Sequence, residues 1–133
     1  MYVFDTDVLS LLMKGKLAPR ARARLAAVPA DRAKTTTITL GELYYGAMRS
    51  AATTRWLEAI MRVEASLPRL GFDDAAARCY GEIRAHLESK GRRLDDADLR
   101  IAAICIATDH TLVSGNEAHF ARVPRLRYEN WLR

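Results

Sequence analysis

Cysteine is scarce in this chain. There are two, Cys79 and Cys105, among 133 residues. No CxxC spacing is present, so a zinc site of thiolates finds no support. Cys105 lies inside the apolar run Ile101–Ala107, where a buried, reduced thiol is expected. No apolar stretch is long enough to cross a bilayer. The acid at position 5 is incompatible with a secretory signal, so a cytoplasmic protein is expected. Glycine is too sparse and scattered to form a phosphate-cradling loop, and no GxSxG occurs. Ser10 and Ser114 have no histidine nearby, which leaves a nucleophile–base pair without support. His86, His110 and His119 share no ligand spacing. We read His86 and His110 as structural and His119 as a packing or surface residue. Repeats, low-complexity runs and linkers are also missing, which favours one domain over 1–133.

What is present is a globular composition, half hydrophobic and 28% charged, with a formal net charge of +5. A basic surface around a few gathered acids suits a polyanionic substrate, whereas the charge alone would mark solubility only. The densest basic stretch comprises Lys14, Lys16, Arg20, Arg22 and Arg24. Its default reading is a solvated face, and its functional reading is a rim that contacts phosphates.

Strands and helices alternate in the pattern. Strands are expected at 2–5, 34–39, 67–72, 111–114 and 126–128, the third confined to an edge or an end by Pro68. Helices are expected from Thr6 or Asp7 to Lys14, from Pro19 to Ala27, from Leu40 to Arg49 and from Thr53 onward. Two more follow, one from Asp73 or Asp74 to Ser89 and one over Leu99–Thr108, opened by Asp95 or Asp96. The apolar faces read as Trp56, Leu57, Ile60, Met61 and Val63 on the fourth helix. On the fifth, Ala77, Tyr80, Ile83, Arg84 and Leu87 fall at helical spacing. Such alternation implies an α/β fold, a parallel sheet covered on both faces.

Asp5 is the most informative residue. It ends the apolar run Tyr2-Val3-Phe4, so a buried strand carries a carboxylate to its C-terminal tip, where open α/β sheets bind ligands. Glu42 and Asp98 also stand next to helix starts. Each has a rival structural reading. Thr39 and Glu42 make a capping box, and Asp95–Asp98 can be a cap followed by acids that suit the helix dipole. Three such acids at one edge of a parallel sheet are better explained by a hard divalent cation, which takes oxygen ligands. Asn116, after the fourth strand, is a neutral oxygen ligand, a water-orienting group or a turn residue, and Glu117 is its possible substitute. Asp7 reads as the N-terminal acid of the first helix, and Asp95 and Asp96 as a cap and a solvated acid.

In order, Phe4-Asp-Thr-Asp-Val-Leu-Ser10, Thr39-Leu-Gly-Glu-Leu-Tyr-Tyr-Gly46, Asp98-Leu-Arg-Ile-Ala-Ala103 and Leu112-Val-Ser-Gly-Asn116 resemble the motifs of PIN-domain ribonucleases, specifically VapC toxins of toxin–antitoxin pairs. The tail from His119-Phe120 through Leu126 to Glu129-Asn-Trp131 is similar too, so the resemblance spans the chain. It implies a three-layer α/β/α sandwich and magnesium- or manganese-dependent endonucleolytic cleavage of RNA. It also implies inhibition by a cognate VapB-like antitoxin, and a homodimer. The family's acids fall on Asp5, Glu42 and Asp98, and its fourth position, Asp or Asn, on Asn116. Where the family often has Asn, this chain has Asp7. Two rivals remain at this stage. One is a PIN-like module that binds RNA or a partner without cleaving. The other is a haloacid-dehalogenase-like phosphatase, suggested by Asp5-Thr-Asp7-Val8, whose later motifs stand here in the wrong order.

Overall fold

The computed structural model describes residues 1–133. Its centre is β1 (Tyr2–Phe4), a strand short enough that each of its residues has one job. Val3 points to one face of the sheet and Phe4 to the other, and both are fully buried. The chain continues through α1 (Thr6–Met13), α2 (Pro19–Ala26), β2 (Ala33–Thr36), α3 (Thr37–Arg49), α4 (Thr53–Ser66) and β3 (Arg69–Leu70). Then follow α5 (Asp74–Ser89), α6 (Asp96–Thr108), β4 (Thr111–Val113), α7 (Glu117–Phe120) and β5 (Tyr128–Glu129). The five strands are all parallel, in the order β3-β2-β1-β4-β5. Pairing sets Val3 opposite Lys34 and Leu112, and Phe4 opposite Val113.

Each face has its own core. Val3 and Leu112 pack with Ile83 and Leu87 of α5, Leu99, Ile101 and Cys105 of α6, and Phe120 of α7. Phe4 and Val113 pack with Val8 and Leu9 of α1, Leu43 and Ala47 of α3, Ile60 and Val63 of α4, and Trp131. The result is an α/β/α sandwich. In α6 every residue from Ile101 to Cys105 is buried, because the helix lies between the sheet and α5. From β1 the chain builds one side of the sheet, then crosses to build the other. The crevice between the C-terminal ends of β1 and β4 is therefore the topological switch point.

Several sequence expectations need correction. The strand expected over 34–39 ends at Thr36, and α3 starts at Thr37 rather than Leu40, because Thr36 caps the helix. The third strand shrinks to Arg69–Leu70, at the sheet edge as Pro68 required. The fifth strand lies at Tyr128–Glu129, and α7 has no clear sequence signal. Met61, Ala77 and Arg84 face solvent rather than the core. No helix is long and apolar enough to cross a membrane.

Candidate active site

Asp5 follows β1, and its backbone N–H continues the ladder to Val113 O at 3.0 Å. It stands at the N-cap of α1, yet its side chain caps nothing. Its carboxylate instead turns to the crevice and accepts a hydrogen bond from Ser114 Oγ at 2.8 Å. Ser114 is itself fully buried, and its hydroxyl accepts from Asn116 N at 3.0 Å. Its carbonyl accepts from Tyr128 Oη at 2.8 Å, which braces the β4 tip from β5. Asp7, one helical position from Thr6, accepts from Gly115 N at 2.8 Å and so ties α1 to the same tip. Glycine at 115 leaves room for its neighbours: a Cβ there would lie 2.5 Å from Leu132 Cδ1 and 2.9 Å from Asp7 Oδ2, so a side chain would make both of them shift.

Glu42 arrives from α3, and the structure decides between its two readings. The cap of α3 is Thr36, whose Oγ1 accepts from Thr39 N at 3.0 Å. Thr39 is thus inside the helix, and the capping box expected of Thr39 and Glu42 does not form. Glu42 lies more than a turn further on, exposed at the cleft edge, where Thr6 Oγ1 donates to its Oε1 at 2.7 Å. Thr6 also lies 3.2 Å from Thr39 Oγ1, so one hydroxyl pair joins α1 to α3.

Asp98 comes from the first turn of α6. The N-cap position belongs to Asp95, which makes no side-chain cap. Asp98 Oδ2 is 2.7 Å from His119 Nδ1 and 3.5 Å from Asn116 Nδ2, and His119 Nδ1 is 2.8 Å from Asn116 Nδ2. His119, which the sequence suggested was packing or surface, is therefore part of the site. It reaches there because α7 folds back from β4 and sets Asn116 and His119 three residues apart on one turn. Ser114, Thr6 and His119 were all missed as site residues. Only the Thr6 and Ser114 positions, at strand ends beside acids, carried a sequence hint.

Together Asp5, Thr6, Asp7, Ser10, Glu42, Asp98, Gly115 and Asn116 enclose an open cleft of about 520 Å³ with no hydrophobic side chain in its wall. Six of the seven ion pairs involve arginine, and none of those six reaches an acid of the cleft. Burial pushes the Asp5 carboxyl up to about 7, with the Asp7 and Asp98 charges adding to this and the Ser114 hydrogen bond opposing it. Burial also raises Asp98, against the pull of His119. A negatively charged wall whose carboxylates are neutralised by no Lys or Arg fits a hard divalent cation. In this arrangement no three acid, histidine or cysteine side chains converge closely enough to hold one. Each acid is instead held by its own partner: Asp5 by Ser114, Glu42 by Thr6 and Asp98 by His119.

The other sequence candidates lie outside this wall. Asp96 pairs with Arg100 at 2.8 Å, and Glu117, the possible substitute for Asn116, pairs with Arg133 at 2.9 Å. His110 is buried beside Thr108 O, which makes it structural, and His86 lies on the surface. In the basic stretch, Arg24 pairs with Glu129 and stacks 4.4 Å over the Trp131 ring, fastening α2 to the C-terminal segment. A separate groove of about 490 Å³, with 12 hydrophobic residues among the 14 that line it, runs between α1, α2 and α4.

Fold and site define a class: a doubly wound parallel α/β/α domain with an acid-lined cleft at the strand-end crevice. Known proteins narrow it. The PIN domain model matches residues 2–126. "Ribonuclease VapC2" of Rickettsia felis is 39% identical over 97 residues, covering 71% of this chain and 70% of the relative. "tRNA(fMet)-specific endonuclease VapC" of Salmonella typhimurium is 32% identical over 130 residues, covering 98% and 97%. The crystal structure of DNA-bound VapBC from Salmonella typhimurium superposes with a TM-score of 0.91 at 32% identity, covering 98% of this chain and 97% of that one. The chain belongs to the PIN-domain family, as a VapC ribonuclease, the toxin of a type II toxin–antitoxin pair. The phosphatase alternative falls with that assignment.

Proposed function

We propose that residues 1–133 act as one nuclease domain that hydrolyses RNA phosphodiester bonds in the acid cleft. Asp5, Glu42 and Asp98 are its metal ligands, and Asn116 is a neutral member of the set. The observation that carries this reading is the meeting of carboxylates from three separate elements, unpaired by Lys or Arg, at the β1/β4 crevice. A helix-capping role would not bring them there, and neither Asp5 nor Glu42 caps a helix.

A magnesium or manganese ion, when bound, supplies charge neutralisation for the phosphorane and a water of lowered pKa. The chain's own residues do the rest. Ser114 holds the Asp5 carboxylate, and His119 holds Asp98, so both face the cleft before the substrate arrives. Thr6 holds one oxygen of Glu42, the exposed acid of the three, and leaves the other either to complete the metal set or to take the proton of the attacking water. Asn116, whose Nδ2 faces His119 and Asp98, contributes a neutral oxygen to the metal or to that water. The substrate is a structured RNA of the cytoplasm. Transfer RNA is the first to try, given the name of the Salmonella relative.

Partners follow the same logic. VapBC complexes are the state in which the similar Rickettsia and Salmonella structures were solved. A VapB-like antitoxin here would bury apolar side chains in the groove between α1, α2 and α4, which is too hydrophobic to serve RNA. Exposed Tyr45, Met48 and Met61 are consistent with a homodimer.

The test is incubation of the antitoxin-free protein with transfer RNA in manganese, in magnesium and in EDTA, beside Asp5→Asn. Metal-dependent cuts absent from the variant are expected. RNA binding without cleavage under any condition would return the protein to a non-catalytic binding module.

A further inference from the structure

Next to the acid cleft lies a second cavity, of about 310 Å³, between α1 and the α3–α4 pair. The two share Thr6, Ser10 and Glu42 as a common wall. Beyond that wall the chemistry changes. Met13, Leu43, Ala47 and Trp56 give the second cavity an apolar side, while Ser50 and Lys14 complete it. Mixed apolar and hydrogen-bonding walls suit a flat ring system with polar edges, and Lys14 supplies the positive charge that the acid cleft lacks.

Gly46 also lines this cavity, in the interior of α3. Glycine destabilises a helix interior relative to alanine. Nothing local requires it here, because its φ is not positive and a Cβ would meet no atom within 4 Å. The space a side chain would occupy is left open, one helical turn after Glu42.

We propose that this cavity is a nucleobase subsite, which seats the base of an RNA nucleotide flanking the scissile phosphate, with Gly46 keeping it open. The proposal rests on the nuclease reading above. An endonuclease must place a nucleotide on each side of the bond it cuts, and this is the cavity that shares a wall with the cleft and carries a cation. A peptide side chain of the antitoxin is the competing occupant. The larger apolar groove already suits that partner, whereas the shared Glu42 wall favours the substrate.

The experiment is a cycle between protein and RNA. Wild type and Gly46→Leu are given oligonucleotides cut by the wild type, either intact or with an abasic ribose placed in turn on each side of the cut. The thermal midpoint of each protein is recorded, and the affinity of the antitoxin for each. Removing one flanking base should lower wild-type kcat/KM on the order of tenfold or more, the size of a lost stacking contact. Gly46→Leu should suffer a similar loss on intact RNA and little further loss on the abasic one, with no lower thermal midpoint. Trp56→Ala should reproduce this through KM more than kcat. Equal abasic penalties in wild type and Gly46→Leu would overturn the subsite while leaving the nuclease intact. Weakened antitoxin binding by Gly46→Leu with an unchanged abasic penalty would assign the cavity to the peptide and overturn it also. No cleavage of any RNA by the wild type would instead sink the nuclease reading, and this proposal with it.

Discussion

Asp5 is 5% exposed, carries one side-chain hydrogen bond and has two acids close enough to disfavour its charge. Its carboxyl sits near 7 in the folded protein against an ordinary 3.8. Below pH 3.8 both folded and unfolded forms are protonated. Between 3.8 and 7 the unfolded chain ionises while the folded one holds its proton, so stability falls as pH rises, and above 7 it levels off. At neutral pH, in EDTA, this opposes folding by on the order of 4 kcal/mol. Asp5→Asn should remove the effect, giving a higher thermal midpoint than wild type at pH 7.5 and a flatter pH profile, with cleavage lost. Thermal scans in EDTA from pH 4 to 8 check this. A variant that is less stable at every pH would mean that Asp5 serves the fold alone. The two cysteines differ in the same physical terms. Cys105 is fully buried and its thiol is pushed far up by burial, while Cys79 is half-buried. A thiol reagent should therefore modify one sulfur in the native protein, at Cys79, and two after denaturation, which mass spectrometry counts.

At the scale of elements, the placement of α3 depends on Thr36. Its hydroxyl starts the helix at Thr37 and so rotates Glu42 into the cleft rather than onto a cap. Thr36→Ala should cost about 1 kcal/mol of stability, read as a thermal midpoint lower by a few degrees. Cleavage should suffer beyond that loss, because Glu42 is positioned from the same helix start. Equal activity per folded molecule would show that α1, through Thr6, positions Glu42 unaided. The β4 tip depends on Gly115 in a comparable way. Gly115→Ala has to displace Asp7 or Leu132, so manganese affinity measured by calorimetry should fall while the sheet itself survives. An unchanged affinity would show that Asp7 does not help shape the site.

For the whole molecule, the cleft has its carboxylates assembled but held apart on separate partners. A ligand that binds only the folded state raises stability by mass action, about 2.7 kcal/mol at a hundred times its Kd. Manganese should therefore raise the thermal midpoint of the wild type, and EDTA should reverse the shift. Asp5→Asn should respond little, since it removes both a proposed ligand and the buried charge that the ion would offset. A wild type whose midpoint ignores manganese would remove the metal from the proposed mechanism.

From the sequence alone, the alternation of elements, the parallel sheet and the arrival of Asp5 at a strand tip could be read, because each depends on local hydrophobic pattern and chain order. Asp98 and Asn116 were legible as candidates for the same reason, being polar residues at element ends. Glu42 was legible only as an ambiguity. Thr39 and Glu42 satisfy the spacing of a cap, whereas the true cap is Thr36, the last residue of β2, which stands in register with Leu70 of β3, a pairing that is not local. The partners of His119, Ser114 and Thr6 were settled only in three dimensions. Each acts through a contact with a residue 21 to 109 positions away, and sequence spacing carries no information about such contacts. The apolar groove and the cavity beside Gly46 were decided in the same way, by where separate helices leave space between them.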